Sequence, residues 1–213
     1  MSNILSEGQV EYLTSLRNQV DPLLREMETF AAENNVPILD WMSAEFLGLL
    51  VLVNKPKNVL EIGTAIGYSS IRIARKLRKK ASLDTIEKSK NNIRLAKEYI
   101  KLSKPTSSIN ILEGDALEIM PGLNKKYDLI FLDADKEDYE KLFLYSVMLL
   151  KKGGVIFIDN LLWHGYAASK SIPVSYKKST NIIREFNKMF MNSSSLQSTI
   201  LSVGDGIGLG VKL

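Results

Sequence analysis

The sequence predicts a doubly wound α/β fold, with a mostly parallel seven-stranded sheet, helices before it and an antiparallel hairpin closing it. Three observations predict this. From residue 57 onward, short β-branched and aliphatic runs alternate with stretches of helical period, the pattern of parallel strands joined by right-handed crossovers. The runs are continuously apolar rather than alternating, as expected of strands covered on both faces. Finally, an acidic residue closes each of five successive runs, at Glu61, Glu87, Asp115, Asp133 and Asp159. Sheets of this kind bind ligands beyond the carboxyl ends of their strands, so these acids are expected on one rim.

The elements follow in order. Residues 1–54 read as a helical N-terminal extension of a single domain covering 1–213. Ser6 with Gln9 forms a capping box that opens a helix to about Asn18. Asp21 before Pro22 is an N-cap with proline at the first helical position. A third helix covers residues 41–53 and stops before Lys55-Pro56, where proline disfavours further helix. Strands are expected at 58–62, 82–87, 109–114, 127–134 and 154–160, with helices at 68–79, 90–102, 116–121 and 137–150 between them. After a polar stretch at 166–178 comes a helix over 180–191. Two strands, 198–203 and 206–213, then face each other across Gly204-Asp205-Gly206.

Composition narrows the chemistry. The 213 residues are 45% hydrophobic and 24% charged, an ordinary globular balance. With no cysteine and one histidine, His164, disulfides, thiolate zinc sites, Cys nucleophiles and multi-histidine metal sites are excluded. A net charge of +4 permits an anionic partner without demanding one. The N-terminus lacks the basic start and apolar core of a secretion signal. The longest apolar run, residues 46–53, is far short of the ~20 residues a membrane helix needs. A cytoplasmic protein with no membrane contact is expected.

The first strand ends in Glu61-Ile62-Gly63-Thr64-Ala65-Ile66-Gly67-Tyr68-Ser69. Such a turn lets a ligand approach the backbone. The dinucleotide fingerprint wants glycine where this chain has Ala65 and Tyr68, which disfavours a pyrophosphate and suits a ligand with less phosphate and an ammonium group. Glu87, closing the second strand, can accept both hydroxyls of a ribose. Asp115 and Ala116 would flank a base, although Asp115 serves equally as a helix N-cap. Together these point to an adenosyl ligand such as S-adenosylmethionine. Asp133-Ala134-Asp135-Lys136 and Asp159-Asn160 place side-chain oxygens on adjacent strand ends, the donor set of a hard divalent cation such as Mg²⁺. Lys136, beside that cation, is a candidate base. His164 reads as a loop residue with a structural hydrogen bond. Trp163 and Tyr166 either pack the loop or stack on a flat ring. Residues 72–80, alternating basic with apolar, read as a solvated helix face with an RNA-facing stripe as the alternative. Trp41 and Met42 read as core or dimer contact, and a homodimer is expected.

The glycine loop, Gly114-Asp115-Ala116, Asp133-Ala134-Asp135-Lys136, Asp159-Asn160 and the closing Val203-Gly204-Asp205-Gly206 resemble the cation-dependent class I O-methyltransferases of the caffeoyl-CoA and catechol type, over roughly residues 35–213. Val36-Pro37-Ile38 and the long glycine run look most like the bacterial tRNA 5-hydroxyuridine methyltransferases. The resemblance implies a Rossmann-like methyltransferase fold and a metal held by Asp133, Asp159 and Asn160. Cofactor contacts are implied for Leu39, Glu61, Gly63, Tyr68, Ser69, Glu87, Asp115, Ala116 and Asp133, with Tyr68 and Ser69 at the methionine end. Lys136 matches the family's proposed base. The acceptor implied is wobble 5-hydroxyuridine in tRNA, or alternatively a small catechol or hydroxycinnamoyl ester. A nucleotide-binding module or dehydrogenase is the competing class. The chain departs from the plant caffeoyl-CoA enzymes at Leu142, where they carry tyrosine. It departs from the tRNA enzymes at Ser175-Tyr176-Lys177-Lys178, where they carry a run of arginines.

Overall fold

The computed structural model describes residues 5–17 and 21–213. Helix α1 (Glu7–Ser15) opens at Ser6, whose backbone N–H donates to Gln9 Oε1 at 2.9 Å. The expected end near Asn18 lies outside the described residues. Helix α2 (Pro22–Glu33) is capped by Asp21, which accepts from the N–H groups of Leu23 and Leu24 at 3.0 and 3.3 Å. Helix α3 (Trp41–Asn54) ends where Lys55 turns left-handed ahead of Pro56. No described helix is long and apolar enough to cross a membrane.

The sheet contains β1 (Asn58–Ile62), β2 (Ser82–Glu87), β3 (Ser108–Glu113), β4 (Tyr127–Leu132), β5 (Leu150–Ile158), β6 (Leu196–Leu201) and β7 (Ile207–Lys212). Its order is β3-β2-β1-β4-β5-β7-β6. Strand β7 runs antiparallel to both of its neighbours, and the other strands share one direction. The crossover helices are α4 (Tyr68–Lys76), α5 (Lys90–Ser103), the short α6 (Ala116–Ile119) and α7 (Tyr139–Leu149); α8 (Lys177–Met191) leads into the hairpin.

Strand alternation explains the continuous apolar runs. Val59, Leu129, Phe131 and Phe157 enter one buried cluster, shared with α2, α3 and α4. Their neighbours Leu60, Ile130, Leu132, Ile156 and Ile158 enter another, shared with α7 and α8. The chain reverses its direction of growth between β1 and β4, the switch point where a crevice opens. Here Gly63 is essential: a Cβ on it would lie 1.8 Å from the carbonyl oxygen of Asp133.

Boundaries differ from expectation where tertiary contacts compete with local pattern. Helix α4 stops at Lys76, because Leu77 turns to extended backbone and buries its side chain. Strand β5 begins at Leu150, before a register break opposite β4 and the left-handed Gly153. The basic run from residue 72 is not one solvated face. Arg72 is buried and ion-paired with Glu45, Arg75 pairs with Asp21 at 3.1 Å, and Lys76, Arg78, Lys79 and Lys80 are exposed.

Candidate active site

A cleft of about 610 Å³ opens over the carboxyl ends of β1, β2, β4 and β5. Gly63, Glu87, Asp115, Ala116, Asp133, Lys136 and Asn160 line it. Leu39, Glu61, Tyr68, Ser69 and Asp159 lie behind its surface, each at most 7% exposed.

One half of the cleft is built from backbone. Gly63 and Thr64 donate to the carbonyl of Ile86 at 3.1 and 3.2 Å, tying the loop to β2. Ala65 is left-handed although it has a Cβ, and its N–H donates to Glu87 Oε2 at 2.9 Å. The N–H of Ser89 donates to Glu87 Oε1 at 2.8 Å, so both carboxylate oxygens are held from behind with lone pairs left for a ligand. Asp115 caps α6 through the N–H of Leu117 at 2.8 Å, the N-cap role offered for it, and also lines the cleft.

Glu61 is fully buried. Its Oε2 accepts from the hydroxyls of Ser70 and Thr85, while Oε1 is without a partner among the described residues. Burial pushes its carboxyl up to about 7; the hydroxyls of Ser69, Ser70 and Thr85 oppose the shift and the charge of Asp133 adds to it. Tyr68 differs from expectation. Its hydroxyl points into the helical layer, donating to Glu28 at 2.5 Å and accepting from Arg72 at 3.0 Å. What Tyr68 and Ser69 offer the cleft is the first turn of α4, whose N–H groups have no intrahelical acceptor. Leu39 is packed in the core beside α2 and α3.

The other half is built from charge. Lys136 is buried, and its Nζ donates to Asn160 Oδ1 at 2.7 Å, to the Ala134 carbonyl at 3.0 Å, to Asp133 Oδ1 at 3.4 Å and to the Tyr139 hydroxyl. Tyr139 passes its own proton to the Asp159 carbonyl at 3.1 Å. Asn160, left-handed at φ 60°, donates from Nδ2 to Asp159 Oδ2 at 3.1 Å. The other oxygen, Asp159 Oδ1, is buried with no hydrogen-bond partner among the described residues. Burial, then the charge of Asp133, raises the Asp159 carboxyl. Asp135 does not join this group; it is exposed and pairs with Lys88 at 2.6 Å.

These residues fit a hard divalent cation. An orphaned carboxylate oxygen of Asp159, the Asp133 carboxylate and the Asn160 amide oxygen gather about one ammonium, that of Lys136, so acceptor oxygens outnumber the positive charge that meets them. No cluster of three His, Cys, Asp or Glu exists among the described residues, so Asn160 is needed to complete the set.

A wall of rings flanks this half. Trp163 and His164 line the cleft, with Tyr176 6.2 and 5.7 Å from them and Tyr166 5.1 Å from Tyr176, centroid to centroid. Asp205 read as a turn residue within the closing motif, with no role at the site, yet its Oδ1 accepts the His164 N–H at 2.6 Å and its charge reaches Asn160 and Lys136. Tyr139 gave no sequence signal beyond an apolar helix position, and Thr85 and Ser70 read as ordinary strand and helix residues.

The O-methyltransferase family model matches residues 14–213. A catechol O-methyltransferase from Niastella koreensis is 31% identical over 222 residues, covering 99% of each chain. A caffeoyl-CoA O-methyltransferase from Medicago sativa is 29% identical, covering 97% of this chain and 89% of its own. The crystal structure of an O-methyltransferase from Bacillus cereus in complex with SAH superimposes with a TM-score of 0.83 at 26% identity, covering 95% of this chain and 96% of the other.

Proposed function

This chain belongs to the S-adenosylmethionine-dependent O-methyltransferase family of the caffeoyl-CoA and catechol type, and on that premise we propose that it methylates one hydroxyl of a vicinal oxygen pair on a small planar ring, with a divalent cation such as Mg²⁺. The observation that carries the reading is the convergence of Asp133, Asn160 and the unpartnered oxygen of Asp159 around Lys136, on the cleft floor beside Glu87.

Asp133, Asp159 and Asn160 would hold the cation, which supplies the Lewis-acid charge that favours the ionised acceptor near neutral pH. Glu87, fixed by two N–H groups, accepts the ribose hydroxyls, and Asp115 with Ala116 borders the adenine. Glu61 keeps Ser69 and Ser70 in place under the methionine end. In place of the expected proton acceptor, the geometry supports Lys136 as a fixed cation. Its protons already have protein acceptors, so it favours the developing negative charge on the acceptor oxygen through its own charge, and the released proton passes to solvent water at the open mouth of the cleft. Trp163 and His164 flank the acceptor ring and hold it for in-line attack, where most of the rate advantage of such enzymes resides.

The wobble-uridine acceptor has less support. Lys177 and Lys178 at the start of α8 stand where the tRNA enzymes carry arginines, and a 5-hydroxyl with its neighbouring carbonyl is also a vicinal oxygen pair. The homodimer expectation is supported by exposed Leu49, Leu52 and Val53 on α3, and light scattering tests it.

The test of substrate is transfer of labelled methyl from S-adenosylmethionine with Mg²⁺ present, to 3,4-dihydroxybenzoate and a hydroxycinnamoyl ester in one arm and to tRNA bearing 5-hydroxyuridine in the other. Turnover of the diols, abolished by EDTA, is expected. Label in tRNA alone would overturn the small-molecule reading.

A further inference from the structure

The segment that follows the proposed metal ligands is strained. Asn160, Trp163 and His164 have φ of 60°, 48° and 56°, followed by Gly165 at 79°. Two bulky residues in succession in the left-handed region persist only where the surroundings over-determine them. Those surroundings come from two separate elements. From the β6–β7 turn, Gly206 and Asp205 carbonyls accept the N–H groups of Leu161 and Leu162, each at 2.9 Å, and the Asp205 side chain accepts from His164. From α8, Asn187 Nδ2 donates to the Leu161 carbonyl at 2.7 Å, and Ser179 Oγ accepts from the Trp163 indole at 3.1 Å. Arg184 reaches furthest. Its guanidinium donates to the carbonyls of Ala167 at 2.9 Å, Tyr166 at 3.1 Å and Ser169.

We propose that Arg184 and Asp205 are positioning residues that latch this strained loop from opposite sides, and that the latch, by fixing Trp163 and His164, sets acceptor affinity and which of two vicinal hydroxyls is methylated. The inference rests on the small-acceptor reading above.

Three carbonyls fanned around one planar fork are a task for guanidinium and not for ammonium, which presents a compact point charge. The latch is also separable from folding. Helix α8 is anchored through buried Ile183, Phe186 and Phe190, which belong to the core cluster under the sheet. Removing Arg184 therefore loosens the loop from residue 166 to 169 while the helix stays docked. The cofactor half of the cleft, built on β1, β2 and α4, shares none of these bonds.

The experiment compares wild type, Arg184→Ala, Arg184→Lys and Ser179→Ala with Mg²⁺, S-adenosylmethionine and 3,4-dihydroxybenzoate, whose two hydroxyls give distinguishable monomethyl products. Arg184→Ala is expected to raise acceptor KM about tenfold or more and to move the product ratio toward equality, with cofactor Kd within about twofold of wild type. Arg184→Lys should fall between, and Ser179→Ala should shift the ratio by a smaller margin in the same direction. Unchanged KM and product ratio in Arg184→Ala would overturn the latch. Amide hydrogen exchange of residues 161–169 gives a reading free of turnover. Faster exchange there in Arg184→Ala, with β1 and β2 unchanged, is expected, and no difference overturns the proposal. If the wild type leaves the diol unmethylated, the substrate reading fails while exchange still decides the latch.

Discussion

The two halves of the cleft solve opposite problems. On the β1–β2 side, Glu87 has both oxygens held by backbone N–H groups and the glycine loop is tied to Ile86. On the β4–β5 side, a carboxylate oxygen of Asp159 has no hydrogen-bond partner among the described residues, Asn160, Trp163 and His164 are left-handed, and the buried ammonium of Lys136 is shared among four acceptors. The first half is satisfied where its side chains meet the cleft; its orphaned oxygen, Glu61 Oε1, lies buried behind the surface, and its strain is confined to Ala65. The second carries unsatisfied charge and backbone strain, the usual signs of a site whose remaining partner is a ligand.

That contrast is broken most sharply at Asp159. Asp159→Asn should lower turnover by at least about 10³-fold if the cation supplies several kcal/mol of charge stabilisation, while cofactor Kd stays near wild type. Lys136→Ala should cost about 10²–10³-fold in kcat, the scale of losing one preorganised donor, leaving the shape of the pH profile intact; loss of one ionisation from that profile would restore Lys136 as a base. Glu87→Ala should act on the other half alone, weakening cofactor binding by about 10–100-fold, as a hydrogen bond to a charged group implies, with acceptor KM little changed by comparison. Titration calorimetry reads both.

Glu61 gives the most specific effect, one read in stability and not in turnover. Its carboxyl lies above its ordinary 4.5, at about 7, so the folded state binds a proton that the unfolded chain has released between those values. Stability should therefore be highest below pH 4.5 with respect to this group and decline as pH rises through 7, by on the order of 3 kcal/mol in all. Glu61→Gln should flatten the wild-type fall in Tm between pH 5 and 8, and an undiminished fall would remove Glu61 as its source.

The fold was legible because the central strands are largely apolar on both faces and each of β1 to β5 runs into an acid; those two features place the sheet and the ligand rim. Glu87, Asp133 and Asn160 were legible for the same reason, since strand ends converge whatever the loops do. The side-chain direction of Tyr68 was not. A tyrosine at the first position of α4 looks the same in sequence whether its hydroxyl faces the cleft or Glu28, which lies forty positions away along the chain. Asp205 and Arg184 were hidden differently. One reads as turn chemistry and the other as a polar helix residue, and only packing of the hairpin and α8 against residues 161–169 gives them roles.

The central claim is that Asp133, Asp159 and Asn160 share one divalent cation beside the methyl donor. Crystals of the protein grown with SAH and Mn²⁺, measured at a wavelength where manganese scatters anomalously, test it directly. The account predicts a single strong peak within about 2.0–2.6 Å of oxygens from all three side chains, absent from Asp159→Asn. A peak elsewhere, or none with SAH bound, would contradict it.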